Sequence, residues 1–242
     1  MKTKIDILHE DEALIIVNKP PNLLTIPDRF DPAKPNLYHW LLGEYGDKVF
    51  VVHRIDQETS GAICFARTEE AHRHLSQQFE KRTVEKIYLT LVEGHPDPPE
   101  GEIDKPIGAH PARSGMMTVT RNGKPALTLY RTIETFKAFS LLEADIKTGR
   151  THQIRVHFKF IGHPLMIDAL YGKRDAFYLS EIKGRSYNLN KHKEERPLMS
   201  RTTLHAGKLT LEHPFSGERV AFEAPLHKDF NAVLNQLRKW NQ

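Results

Sequence analysis

Val52-His53-Arg54-Ile55-Asp56-Gln57-Glu58-Thr59-Ser60-Gly61 is the stretch on which the reading of this chain turns. It lies between two apolar segments, Val49–Val52 and Ala62–Ala66, that read as strands. A strand that stops to present His, Arg, Asp, Glu, Thr and Ser places polar groups where apolar ones would add core. Connecting turns are made by Gly, Asn, Asp and Pro, whereas binding and catalytic groups collect on loops held by a rigid scaffold. A turn with Arg54 and Asp56 as solvated charges is the plain alternative. For an arbitrary polar loop it would be the better one, so the order of the letters has to decide.

The pattern H-R-x-D-x-x-T-S-G resembles the signature loop of the RluA-type pseudouridine synthases (RluA, RluC, RluD and TruC-like proteins), with Ile55 where leucine is usual. The resemblance puts the family's catalytic aspartate at Asp56 and places His53, Arg54 and Thr59 beside substrate. Other family segments recur in the same order. Asn18-Lys19-Pro20 resembles the first, with Pro21-Asn22 replacing the usual glycine. Lys86-Ile87-Tyr88 resembles the second, whose tyrosine, here Tyr88, lines the active site. Thr148-Gly149-Arg150-Thr151-His152-Gln153-Ile154-Arg155-Val156-His157 is the longest match, continued by Gly162-His163-Pro164 and Asp168…Tyr171-Gly172. It implies Arg155 as the active-site arginine. Leu204-His205-Ala206 resembles the last segment. Lys19, Arg150, His152 and Leu204 are thereby candidates for substrate or RNA contact; Lys19 reads equally as a support behind the site and as a surface lysine.

The fold implied by the resemblance is α+β: a long mixed, mostly antiparallel sheet in two halves flanked by helices, with the site in the cleft between them. One catalytic domain over residues 1–242 is expected, with a basic insertion at about 173–201. The resemblance begins near residue 5, so no RNA-binding module is expected before it.

Composition agrees with a soluble globular chain: 242 residues, 39% hydrophobic and 27% charged. No apolar run approaches the roughly 18 residues of a membrane span, and MKTKIDILHE is not a signal peptide. Cys64, the single cysteine, lies in a predicted strand and reads as a buried inert thiol. A cytoplasmic monomer is expected. The formal charge of +4 allows an anionic partner such as RNA. Residues 173–201 hold eight Lys or Arg against four Asp or Glu, so the basic surplus is local. A basic arm at 183–196 that grips RNA phosphates is the functional reading of this insertion, and a solvated loop is the alternative. Fourteen scattered histidines, with no H-E-x-x-H and no cysteine pair, do not form a metal motif.

Coarse patterning places the motifs. Ile5–Leu8 and Ala13–Asn18 read as strands, and Asn36–Tyr45 as a helix. A second helix, capped by Thr68, runs to about Arg82 with Ala71, Leu75 and Phe79 inward and His72 and His74 solvated. Thr83–Glu93 alternates, with Ile87, Leu89 and Leu91 on one face and Lys86, Tyr88 and Thr90 on the other. Asp104–Ile107 reads as a short strand. Asn122-Gly123 signals a hairpin between Met116–Thr120 and Ala126–Ile133. A helix capped near Thr151 carries Ile154, Phe158 and Ile161 on its buried side. Leu209–Leu211 and Val220–Phe222 form a hairpin, and Phe230, Val233, Leu234 and Leu237 mark a final amphipathic helix.

Isomerising uridine breaks the bond from ribose C1′ to uracil N1 and rejoins the base through C5. Atoms are conserved and no electrons are exchanged, so no cofactor is expected. One ionised carboxylate serves three routes: attack at C1′, attack at C6, or removal of a ribose proton to give a glycal. A guanidinium offsets the cost of keeping that charge in a pocket. A uridine inside folded RNA must also leave its stack, at roughly a few kcal/mol, which stacking on Tyr88 would partly return. Ile55 packs inward between Arg54 and Asp56. The expected partner is rRNA or tRNA or both. The alternatives are a catalytically inactive RNA-binding or RNA-folding module of the same fold, and an unrelated carboxylate hydrolase that releases free uracil.

Overall fold

A computed structural model describes residues 5–184, 187 and 194–240. The chain forms two compact units, each discontinuous in sequence: Met1–Tyr88 with His205–Leu226, and Leu89–Leu204 with His227–Gln242. The strands build the expected mixed, mostly antiparallel sheet with flanking helices.

In the first unit, β1 (Asp6–Glu10) pairs antiparallel with β2 (Leu14–Lys19), and β2 with β4 (Ser60–Ala66). β3 (Phe50–Val51) adds to β4. β4 pairs in parallel with β11 (Leu204–Glu212) through His205↔Ser60 and Ala206↔Gly61, so the sheet is mixed. β11 and β12 (Arg219–Glu223) form the expected hairpin, Leu209 opposite Phe222 and Leu211 opposite Val220. α1 (Leu37–Tyr45) starts where the Asn36 side chain accepts the His39 amide. α2 (Glu69–Lys81) starts at Thr68, whose hydroxyl accepts the Ala71 amide as the sequence suggests. Its Ala71 and Leu75 pack with Leu14, Ile16, Cys64 and Leu209 in the core. Cys64 is wholly buried, and burial pushes its thiol up to about 12, as expected of an inert thiol.

β5 (Glu85–Glu93) passes from the first unit to the second after Tyr88. Lys86, Tyr88 and Thr90 are all buried, while the apolar face goes from half-buried at Ile87 and Leu89 to wholly buried at Leu91. In the second unit, β9 (Leu127–Thr135) lies between β6 (Glu100–Asp104) and β10 (Phe139–Ile146), all antiparallel. The expected strand at 104–107 is two elements, because Pro106 has no amide to continue a ladder. β6 ends at Asp104, and β7 (Ile107–Ala109) turns off to pair with β8 (Met117–Val119).

The expected hairpin across Asn122-Gly123 does not form. β8 pairs with β7 and β9 pairs with β6 and β10. Gly123 serves close approach instead: a Cβ there would lie 2.5 Å from the carbonyl carbon of Ile107, whose backbone exchanges two hydrogen bonds with Lys124. α4 (Leu179–Lys183) and α5 (Lys228–Trp240) follow α3 (Gln153–Phe160). α5 buries Phe230, Val233, Leu234 and Leu237 as its spacing predicts. Much of the expected basic arm at 183–196, namely residues 185, 186 and 188–193, lies outside the described residues. No helix among the described residues is long and apolar enough to cross a membrane.

Candidate active site

The loop between β3 and β4 is held from below through its main chain. The Thr25 hydroxyl donates to the Ile55 carbonyl at 2.9 Å and accepts the Ile55 amide at 3.4 Å. Lys19 is wholly buried, and its Nζ donates to the carbonyls of Pro20, Leu23 and Gln57 at 3.0, 2.6 and 3.0 Å. A buried ammonium is tolerable only when its donors are used, and here three carbonyls share it. Lys19 thus supports the loop from behind. Asp56 opens a tight turn in which its carbonyl accepts the Thr59 amide at 3.1 Å. Ile55 points inward at 7% exposure, Arg54 is exposed and Asp56 is half-exposed.

The end of the motif is fixed by close approach. Gly61 has φ +115°, and a Cβ on it would lie 2.2 Å from the Ala206 carbonyl oxygen, so β4 and β11 can pair there only through glycine. Beside it, Ser60 Oγ and His205 Nδ1 are 2.9 Å apart, and His205 Nε2 lies 3.1 Å from the Ala224 carbonyl. A carbonyl only accepts, so Nε2 carries the proton and Nδ1 accepts from the serine.

His53 turns inward. Its Nε2 accepts the Cys64 amide at 3.1 Å and its ring stacks on Phe79 with centroids 4.5 Å apart. Burial, with the Lys86 ammonium adding to it, brings its pKa down to about 3, so the ring is neutral. Tyr88 is buried, and its hydroxyl is held well above the usual tyrosine range, first by burial and then by the charge of Asp56. The structure therefore brings Asp56 and Tyr88 together in one unit.

In the second unit the arginine is held by its side chain. Arg155 Nε and Nη2 each donate at 2.7 Å to the two oxygens of Asp168, a bidentate pair that is almost wholly buried. Asp168 also accepts the amides of Leu170 and Tyr171 at 3.0 and 2.9 Å. The guanidinium lies 4.9 Å from the centroid of the Tyr171 ring. The Tyr171 hydroxyl accepts the Met117 amide at 2.8 Å and is 2.7 Å from His152 Nδ1.

α3 does not start at Thr151. His152 caps it in the left-handed region, φ 56°, with no side-chain cap. Gln153, the first helical residue, ties the preceding loop and β9 instead: Oε1 accepts from the Thr148 hydroxyl and the Arg150 amide, and Nε2 donates to Leu127 and Thr128. Nor does the helix bury one stripe only, since Gln153 to Phe158 are all buried. His157 bonds Thr128 and the Lys105 carbonyl. Arg150 Nε donates to the Pro125 carbonyl.

Three residues expected to touch RNA are inside the protein: Lys19, Thr59 and Leu204, at 0%, 1% and 4% exposure. Sequence reasoning gave no role to Thr25, Asp168 or His205. Asp168 and His205 stood within the quoted family segments, and a buried arginine requires an acid; Thr25 left no signal. Among the described residues no group of three or more His, Cys, Asp or Glu is arranged to hold a metal ion.

The family model described as RNA pseudouridylate synthase matches residues 13–160. A protein named ribosomal large subunit pseudouridine synthase D, from Nitrosomonas europaea, is 38% identical over 243 residues, covering 97% of this chain and 65% of that protein's length. The Bacillus subtilis protein named uncharacterized RNA pseudouridine synthase YlyB is 37% identical over 243 residues, covering 97% of this chain and 73% of its own. Among solved structures, human RNA pseudouridylate synthase domain containing 4 superposes with a TM-score of 0.72 at 25% identity, covering 96% of this chain and 93% of that one.

Proposed function

The chain belongs to the RNA pseudouridylate synthase family, and we propose that it isomerises uridine to pseudouridine in RNA, with large-subunit ribosomal RNA as its substrate. The C1′–N1 bond breaks, the C1′–C5 bond forms, and the proton lost from C5 is balanced by one gained at N1. Asp56 is the carboxylate that acts on the ribose or the base. The observation that carries this assignment is the anchoring of its loop by Thr25 and the buried Lys19. A carboxylate on so fixed a backbone is pre-organised for one reacting centre.

Tyr88, kept protonated by its surroundings, offers a ring for stacking and a neutral hydroxyl. Arg155 is assigned an essential role on the sequence element it occupies, and Asp168 fixes its orientation. Arg54, exposed on the same loop as Asp56, is assigned to phosphate. The ribosomal target rests on the name of the Nitrosomonas europaea relative.

The test is incubation of the purified chain with transcripts of large-subunit rRNA and of tRNA, followed by mass spectrometry of the nucleosides. Pseudouridine in the rRNA transcript is the expected result. Free uracil, or RNA bound but unchanged, would refute the proposal.

A further inference from the structure

The second unit contains a pocket of about 290 Å³ that includes neither Asp56, Tyr88 nor Arg155. It lies between the β7–β8 hairpin and α3. Its apolar surfaces come from Met117, Tyr171 and Phe160, the last 50% exposed although it is a large aromatic. Its basic groups are Lys159, Arg113 and His110, with Thr118 beside them, and no acidic residue lines it. His110 Nδ1 accepts the Ala112 amide at 3.1 Å, so in the neutral ring Nε2 carries the proton and donates. A further cation stands at the rim: Lys105 Nζ is 5.9 Å from the centroid of the Phe160 ring. Lys159 Nζ is 5.7 Å from that of Tyr171.

An exposed aromatic face flanked by cations, with no carboxylate, matches a base attached to a phosphate. Stacking supplies the sequence-tolerant part of such binding, and the cations track the backbone. The volume is at the small end of ligand sites, roughly 300–1,000 Å³, which suits one nucleotide and excludes a duplex. We infer that this pocket holds one unpaired nucleotide of the substrate RNA, other than the uridine that reacts, with its base on Phe160 and its phosphate on Lys159 and Arg113. The inference rests on RNA being the substrate. The pocket also adjoins the arginine: Tyr171 is a wall of it, stands against Arg155, and accepts the Met117 amide of the hairpin.

The test titrates the full chain and its Phe160→Ala, Phe160→Trp and Arg113→Ala variants with a labelled large-subunit rRNA transcript. The titration is repeated on transcripts made abasic at each unpaired position in turn, and pseudouridine formation is read separately. Phe160→Ala is expected to weaken binding about tenfold, Phe160→Trp to restore it, and Arg113→Ala to weaken it and flatten its salt dependence. The loss in Phe160→Ala should vanish on one abasic transcript, at a position other than the isomerised uridine. Rates at saturating RNA should stay within about twofold of the parent. The inference is overturned if Phe160→Ala binds within twofold of the parent, or if its loss is the same on every transcript. Failure of the parent to form pseudouridine in any RNA would instead refute the proposed reaction, since the binding cycle is read without turnover.

Discussion

The loop that carries Asp56 and the helix that carries Arg155 are fixed by opposite means. The loop is tied through its main chain, by a lysine and a threonine that bond the carbonyls of Gln57 and Ile55. The arginine is tied through its own guanidinium, by a carboxylate with which it shares two short hydrogen bonds. The first arrangement fixes the backbone around a residue through bonds to main-chain carbonyls. The second fixes a side chain that carries a permanent charge, and the cost of burying that charge is offset by the acid beside it. A defect in the first should loosen geometry; a defect in the second should leave a charge buried without its counter-ion.

The largest effect on stability should follow from Asp168→Ala. It strips Arg155 of its bidentate partner at a site where both groups are almost wholly buried. Breaking such a pair costs about 3–5 kcal/mol, readable by chemical denaturation, and turnover should fall with it. A loss under about 1 kcal/mol would mean the pair behaves like a surface ion pair, and the contrast would fail.

Lys19→Met should come next. It removes a donor shared by three partly buried carbonyls, at about 2–3 kcal/mol. Because the loop loosens, pseudouridine formation should drop about a hundredfold. Turnover within threefold of the parent would detach the loop anchor from function.

A second side-chain lock extends the comparison to pH. Arg201, buried, donates to both oxygens of Asp229 at 2.8 Å. Burial alone would raise the Asp229 carboxyl, but the hydrogen bonds and charge of Arg201, with His227 adding to them, bring it down to about 2. A carboxyl depressed in the fold stabilises above its unfolded pKa and loses that contribution as pH falls through the folded value. Stability should therefore decline between about pH 4 and pH 2, by about 1–2 kcal/mol after allowance for partial exposure. In Asp229→Asn that part of the decline should disappear. An unchanged acid limb in the variant would contradict the assignment.

The smallest effect concerns Tyr88. Its hydroxyl is raised above the ordinary range, so it stays protonated as pH rises. Turnover should show no loss from tyrosine ionisation up to about pH 10. An alkaline limb near pH 8–9 that vanishes in Tyr88→Phe would show the opposite.

The same contrast explains what the sequence could and could not reveal. Features set by local chemistry were legible: the Thr68 cap, the inward stripe of α5, the β11–β12 hairpin and the inert Cys64. The letters of the signature loop and of the α3 element identified the residues to which function is assigned here. What stayed hidden depends on partners distant in sequence. Lys19 reads equally as a support behind the site and as a surface lysine until three carbonyls are seen around it. Asn122-Gly123 reads as a hairpin until Ile107 is seen against Gly123. Thr151 looks close to a cap, yet His152 takes that place without a side-chain bond, and the Gln153 side chain holds the loop before it through Thr148 and Arg150. On β5 the alternation was visible, but not that the polar face is buried along with the far end of the apolar one.

In the proposed reaction the Asp56 carboxylate carries out the isomerisation while Lys19 and Thr25 hold its loop. Asp56→Asn changes the charge and leaves the main-chain anchors in place. Single-turnover pseudouridine formation on an RNA that the parent isomerises should fall at least about a thousandfold, with the chain still folded. An asparagine variant that isomerises uridine within about tenfold of the parent rate would contradict the account.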